Sequence, residues 1–329
     1  MLSEIIILED TMLKERGIII HAQDAGDYWA DRLEKSALNV VGIHPAGGHD
    51  AHRTMEECIR LMQTSDWAKF TSRMEKAGIA VEYEMHALSW ILERERFEKQ
   101  PEWFRMDENG QRTPKFNCCA SNDDALDYIR ERSAALAKIF RPDTHKHYFW
   151  IDDVASAGCM CEKCRALSPS DQAMRITNAI AEGLQSVDPL AKESYLAYCA
   201  TLELPSSEKP RDNLFLEFAP ISRDFDTSLF DPDRPRNYEQ VKNLPALLDF
   251  MGRTDAKVLD YWVDNSLFSG WKLPPKEFRL NAATMRADVE EYRKLGFDSI
   301  TSFGCFLGEN YAELYGDAEL DEYYAILNA

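Results

Sequence analysis

Short apolar runs alternate with amphipathic helical segments along almost the whole chain, and few architectures satisfy that rhythm. GIIIHAQ (17–23) is an apolar run that stops at polar residues, the pattern of a buried strand. DYWADRLEKSA follows as an amphipathic helix, then NVVGIHPAGGHD as a second strand opening into a glycine-rich loop. SDWAKFTSRMEKAG reads as a helix with Ser65 as N-cap and Gly78 as its stop, and IAVEYEMHAL (79–88) as the third strand. A polar insertion around 90–120 breaks the rhythm before the helix DDALDYIRERSAALAKIF. HKHYFWIDD, SYLAYCAT, NLFLEFAP, KVLDYWVD and SITSFGCFL complete eight strand candidates. SDQAMRITNAIAEGLQSV (Ser170 as N-cap), NYEQVKNLPALLDFM and NAATMRADVEEYRKLG are the helices among them, and a helical tail follows.

Such alternation implies a parallel sheet with helices covering it. Eight units in 329 residues predict an α/β chain folded as a single (β/α)8 TIM barrel spanning residues 1–329. No GxGxxG or P-loop pattern follows the first strands, which disfavours an open nucleotide-binding sheet. With 45% hydrophobic residues the chain can bury a large core. Its net charge of −19 repels phosphate backbones and anionic lipid, so neither nucleic acid nor membrane is an expected partner. A neutral small molecule or oligosaccharide suits this balance. The apolar run Ile5–Leu8 is too short for a signal-peptide core and has no basic leader. Eight cysteines in so long a chain are no disulfide framework, so a cytoplasmic placement is expected.

In a barrel of this kind the chemistry sits at the carboxyl ends of the strands. Those ends carry His21, Gln23 and Asp24; His44, His49 and Asp50; Glu82, Glu84 and His86; Trp150, Asp152 and Asp153. The later ones carry Tyr195 and Tyr198; Glu217 and Arg223; Asp260, Tyr261, Trp262 and Asp264; Glu309 and Asn310. Carboxylates beside Tyr and Trp are what a sugar site needs: aromatic faces stack on C–H surfaces, while carboxyl groups bind hydroxyls and move protons. Glycoside cleavage requires an acid at the leaving oxygen and a second group as nucleophile or base, or assistance from the substrate's own acetamido group. Asp153 and Glu309 are the expected carboxyl pair, with Asp153 as acid and Asp152 as orienting partner. His86, Tyr198, Glu217, Tyr261 and Trp262 are expected to shape the sugar subsite. Taken singly, Asp24, Asp50 and Asp264 read as loop caps or ion-pair partners, and His44 and His86 as structural histidines.

Two other readings stay open. One is a metal-dependent barrel hydrolase or isomerase using His21, His44, His86, Glu84 and Asp260; the other is a glycan-binding barrel without catalysis. No cofactor is expected. The CxCxxC run of Cys159, Cys161 and Cys164 is compact enough for three thiolates on a metal, with Cys118, Cys119 or a histidine as fourth ligand. Buried, unliganded thiols are the plainer expectation for it.

Several stretches together resemble the domain-of-unknown-function 4838 family, part of which is assigned to glycoside hydrolase family 163. They are WIDD…CMCEKC, SPSDQAMRITNAIAEGL, LAYCATLELP and PRDNLFLEFAPISRDF, with VEYEMHALSWIL, PEWFRMDENGQR and CCASN upstream and LDYWVDN, KLPPKEF and YRKLGF downstream. The resemblance covers roughly residues 40–310. It implies a (β/α)8 barrel acting on β-linked N-acetylglucosamine or a related glycan by a retaining mechanism, with the acetamido group as one route. It also implies that Asp153 is the family's acid before the cysteine cluster, that His86 and Asn122 match its upstream polar positions, and that the cysteine loop has a structural role. Asp152 stands where many members have a non-acidic residue, and many members are secreted with a separate N-terminal domain.

Overall fold

The computed structural model describes residues 12–329, so the Ile5–Leu8 run lies outside the described residues. Eight parallel strands close on themselves in sequence order: β1 (Glu15–His21), β2 (Val40–His44), β3 (Ala80–His86), β4 (Lys146–Trp150), β5 (Lys192–Ala197), β6 (Leu214–Phe218), β7 (Lys257–Asp260) and β8 (Ser299–Ser302). Closure comes from β8 against β1, where Glu15 pairs with Ser299 and Arg16 with Ile300. The helices are α1 (Asp27–Ser36), α2 (Ala51–Leu61), α3 (Ser65–Ala77), α4 (Leu88–Ile91), α5 (Asp123–Ala137) and α6 (Pro169–Gln185). They continue as α7 (Pro235–Val241), α8 (Leu244–Met251), α9 (Asn265–Phe268), α10 (Ala282–Lys294), α11 (Glu309–Tyr315) and α12 (Ala318–Leu327). None of them is long and apolar enough to cross a membrane.

Strand alternation sorts the core into two layers. Ile18 and Ile20 face outward with Val41, Ile43 and Phe149 against the helices, whereas Ile19 points inward with Tyr148, Trp150, Phe215, Leu259 and Phe303. The interior also holds charge. Lys257 Nζ lies 2.7 Å from Glu84 Oε1, 3.5 Å from Glu82 Oε2 and 4.0 Å from Glu217 Oε1, all four side chains being buried. Burial alone would lower Lys257, but the three carboxylates outweigh it and hold its pKa above the usual value. Gly42 makes room for this cluster, since a Cβ there would stand 2.5 Å from Glu84 Oε1.

Local signals place the helix starts slightly differently from the sequence reading. Thr64, not Ser65, caps α3 by accepting from Trp67 N, and Ser168, not Ser170, caps α6 in a reciprocal box with Asp171. Pro169 at the first helical position explains the second shift, because its missing N–H is unneeded there. The glycine-rich loop after β2 leads into α2, a helix the sequence reading passed over, and NYEQVKNLPALLDFM divides into α7 and α8.

Between α4 and α5 the chain makes two short 3₁₀ turns and a bridge between Met106 and Arg112. Arg96 lies over the Tyr128 ring at 3.9 Å, which docks this segment onto α5. Its far end meets the loop after β4. The Asn117 amide and the Arg94 guanidinium both donate to Asp152 Oδ2, and Asp152 N donates back to Asn117 Oδ1 at 3.0 Å. The β3 and β4 loops are thereby tied into one unit.

Candidate active site

A cavity of about 590 Å³ opens at the carboxyl ends of the strands, a size suited to a small ligand. Its floor is a run of rings. His44 lies 5.9 Å from Trp150 and 5.0 Å from Phe303, and His86 lies 5.0 Å from Trp150, centroid to centroid. The Trp150 indole donates downward to Glu217 Oε2 at 2.7 Å, which fixes the plane of this floor. His44 Nδ1 donates to the Glu84 carbonyl at 2.7 Å, and His86 Nδ1 to the Ile151 carbonyl at 2.7 Å, so each ring turns Nε2 away from the strand. Burial lowers His21 to about 4 and His44 to about 3, which leaves both neutral above those values.

Asp153 stands in this cavity. The Tyr198 hydroxyl donates to its Oδ1 at 3.3 Å, and His86 Nε2 faces the same oxygen at 3.9 Å. Gly47, in the loop after β2, passes close above: a Cβ there would lie 2.7 Å from His86 Cδ2 and 3.0 Å from Asp153 Oδ2. Tyr261 lines the cavity beside Tyr198, and so does Asp264 at the start of α9. Asp264 Oδ1 accepts from Ser266 Oγ at 2.5 Å and from Ser266 N at 3.1 Å; burial still raises its pKa to about 6. At the rim Trp271 lines the cavity while 65% exposed, an open aromatic face.

The expected site residues divide by position. Asp153, His86, Tyr198 and Tyr261 come together in this cavity. Glu309 is exposed at the first position of α11 and lines a second cavity, of about 800 Å³, with Asp24, Tyr28 and Pro274. The two cavities share His21, Gln23 and Phe306. Asp152 is turned away into its bonds with Arg94 and Asn117. Glu217 is fully buried inside the barrel beneath the floor. Trp262 points outward, its indole donating to Asp288 Oδ2 at 2.9 Å against Tyr292. Asn122 caps α5 through a 2.9 Å bond from Ala125 N. The residues of the metal-dependent reading are partly engaged elsewhere: Glu84 by Lys257, and Asp260 by Arg223 and Tyr292. Asp264 and Trp271 are the residues the sequence reading did not select. The signal for Asp264 is its place four residues after β7; Trp271 has only its aromatic ring in a loop.

A family model described as a domain of unknown function, DUF4838, matches residues 44–249, which runs from the last residue of β2 into α8 and includes Asp153, Cys119 and the CxCxxC cysteines. The chain belongs to the DUF4838 family. No curated protein matches it. Among solved structures, this DUF4838 barrel is similar to the β-galactosidase of the psychrophilic Marinomonas ef1, with TM-score 0.54 and 11% identity, covering 95% of this chain and 59% of that one. It is also similar to a GH20 catalytic module of the pneumococcal exo-β-D-N-acetylglucosaminidase StrH, with TM-score 0.50 and 9% identity over 96% of this chain and 84% of that one. A GH5-4 broad-specificity endoglucanase from Clostridium acetobutylicum gives TM-score 0.46 and 11% identity, covering 93% and 89%. For the first two, at 11% and 9% identity, the likeness is one of fold.

Proposed function

We propose that this DUF4838 barrel is a retaining glycoside hydrolase acting on a β-linked oligosaccharide that contains an N-acetylhexosamine. The observation that carries the reading is the cavity itself. Of its three lining aspartates, Asp50 is exposed and paired with Arg53, while Asp153 and Asp264 stand with Tyr198, Tyr261 and Trp271 at the carboxyl ends of the strands. Sugar recognition is supported by the aromatic faces, and neutral substrates by the net charge of −19.

The two carboxyl groups differ in a useful way. Asp153 is partly exposed, and its Oδ1 accepts from the Tyr198 hydroxyl and faces His86. Asp264 is desolvated and holds its proton up to about pH 6, a setting that suits an acid. In this proposal Asp264 protonates the leaving oxygen, and Asp153 either attacks the anomeric carbon or orients the substrate acetamido group that does. Tyr198 holds Asp153 in place, and Trp271 stacks on a sugar ring at the rim. Glu309 serves the adjoining cleft, where a longer glycan would extend past Phe306.

A panel of chromogenic α- and β-glycosides, including the N-acetylglucosaminide and the glucuronide, tests the proposal. Turnover confined to β-linked N-acetylhexosaminides is the expected result. Turnover of α-glycosides or the glucuronide alone would replace the substrate class. Thermal stabilisation by N-acetylglucosamine oligomers without any turnover would leave a glycan-binding barrel instead.

A further inference from the structure

The cysteine run after β4 does not work alone. Cys119, at the end of the segment between α4 and α5, brings its sulfur to those of Cys159, Cys161 and Cys164, and all four sulfurs lie within 4.8 Å of one another. Cys119 Sγ is 3.7 Å from Cys161 Sγ and 3.8 Å from Cys164 Sγ. A tetrahedral zinc ion with Zn–S bonds of about 2.3 Å requires sulfurs about 3.8 Å apart. We propose that Cys119, Cys159, Cys161 and Cys164 form a tetrathiolate site that binds one zinc-class divalent cation.

Two further observations point the same way. All eight cysteines are free, and these four are buried with their sulfurs converging, Cys164 Sγ also donating to Ser121 Oγ at 3.2 Å. The surroundings supply donors to sulfur: Met106 N lies 3.3 Å and Arg112 Nη1 3.7 Å from Cys159 Sγ. Four thiolates and a divalent cation leave two negative charges, which the Arg112 guanidinium partly offsets. Each thiol releases its proton to solvent as the ion binds. Sulfurs this close enclose a single ion, not a multinuclear cluster. Four protein ligands leave no position for water or substrate, so the ion is structural.

The site joins the β3 and β4 loops a second time, beyond the Asn117–Asp152 contact. Cys159 follows Asp153 by six residues, so the ion anchors the far end of the loop that carries this carboxylate. Cys118, next to Cys119, is buried but outside the cluster and provides a matched control.

The test is elemental analysis of the full chain, purified under reducing conditions with zinc supplied and then passed through metal-free buffer. One zinc per chain is expected, retained in Cys118→Ala and lost in Cys119→Ser and Cys161→Ser. Cobalt(II) exchange reads the ligands directly and needs no variant. Intense thiolate-to-cobalt absorption with a tetrahedral visible band supports the proposal even where a serine variant fails to fold. A folded parent chain that takes up neither metal overturns it, as does cobalt bound without the thiolate band. Undiminished zinc in a folded Cys119→Ser also overturns it.

Discussion

The Tyr198 hydroxyl donates to Asp153 Oδ1 at 3.3 Å, joining the end of β5 to the loop after β4 across the cavity. This bond orients one carboxylate oxygen and leaves Oδ2 beneath Gly47. It also separates two roles that a rate measurement can tell apart. Asp153→Asn keeps the shape and removes the charge. If Asp153 is the nucleophile or the orienting group, turnover should fall about 10²–10⁴-fold on aryl and natural leaving groups alike. If Asp153 is the acid, activated aryl glycosides should be largely spared. Equal activity of variant and parent on both would remove Asp153 from the mechanism.

Gly47→Ala tests the closeness of the β2 loop. The added methyl meets His86 Cδ2 at 2.7 Å and Asp153 Oδ2 at 3.0 Å, so one of them must move. A drop in kcat/KM of about ten- to a hundredfold is expected from misplacing a reacting group. The melting temperature should change little, because Gly47 has an ordinary backbone conformation at φ −81°.

The pH profile follows from Asp264. Its native pKa of about 6 lies above the ordinary 3.8, so it is protonated below about 6 and loses its proton as pH rises. As general acid it should give kcat/KM a basic limb that falls through about pH 6, absent in Asp264→Asn, whose residual rate should be flat there. Stability has the same sign. The contribution is fully present below pH 3.8 and lost as pH climbs through about 6, on the order of 3 kcal/mol in all. Chemical denaturation of parent and Asp264→Asn at pH 4 and pH 7 measures this difference directly.

Trp271→Ala addresses the rim. The ring is 65% exposed, so its removal should leave the fold intact. Loss of about 1 kcal/mol of stacking should raise KM roughly fivefold with kcat unchanged, the signature of a contact made equally in ground and transition states. A fall in kcat with constant KM would place Trp271 in the chemistry instead.

Asp152→Ala should act on stability first. It leaves the half-buried Arg94 guanidinium and the buried Asn117 backbone amide without their shared acceptor, which costs about 1–3 kcal/mol. Arg94→Met together with Asp152→Leu should recover part of that loss. If Asp152→Ala instead melts like the parent while its rate falls by orders of magnitude, Asp152 has a direct part in catalysis.

The barrel was legible because short continuous apolar runs and intervening amphipathic helices carry their physics locally. GIIIH can bury itself in few other ways, and Ile18, Ile19 and Ile20 alternate faces as such a strand must. Strand ends named Asp153, His86, Tyr198 and Tyr261 for the same reason. What a strand end does not state is which way its side chain turns. Glu217 faces inward to Trp150 and Lys257, and Trp262 outward to Asp288, choices settled by partners far off in sequence. Glu309 lies beyond β8 by a whole loop, at the start of α11, which puts it in the neighbouring cleft. Asp264 reads in sequence as a loop cap or ion-pair partner and turns out to cap α9; only its burial beside the cavity raises its pKa. The choice between Cys118 and Cys119 likewise depends on how a folded segment is rotated, which spacing does not encode.

The reciprocal bonds between Asn117 and Asp152 have a consequence for how such a barrel can diverge. The side of the mouth built from the β3 and β4 loops cannot change length or sequence in one loop without disturbing the other, and Asp153 with it. The opposite side, from Asp264 through Trp271 to Phe306, contributes to the cavity through segments outside that clasp. Selectivity can therefore be rewritten there, by loop exchange or directed libraries, while the carboxylate under Gly47 keeps its aim.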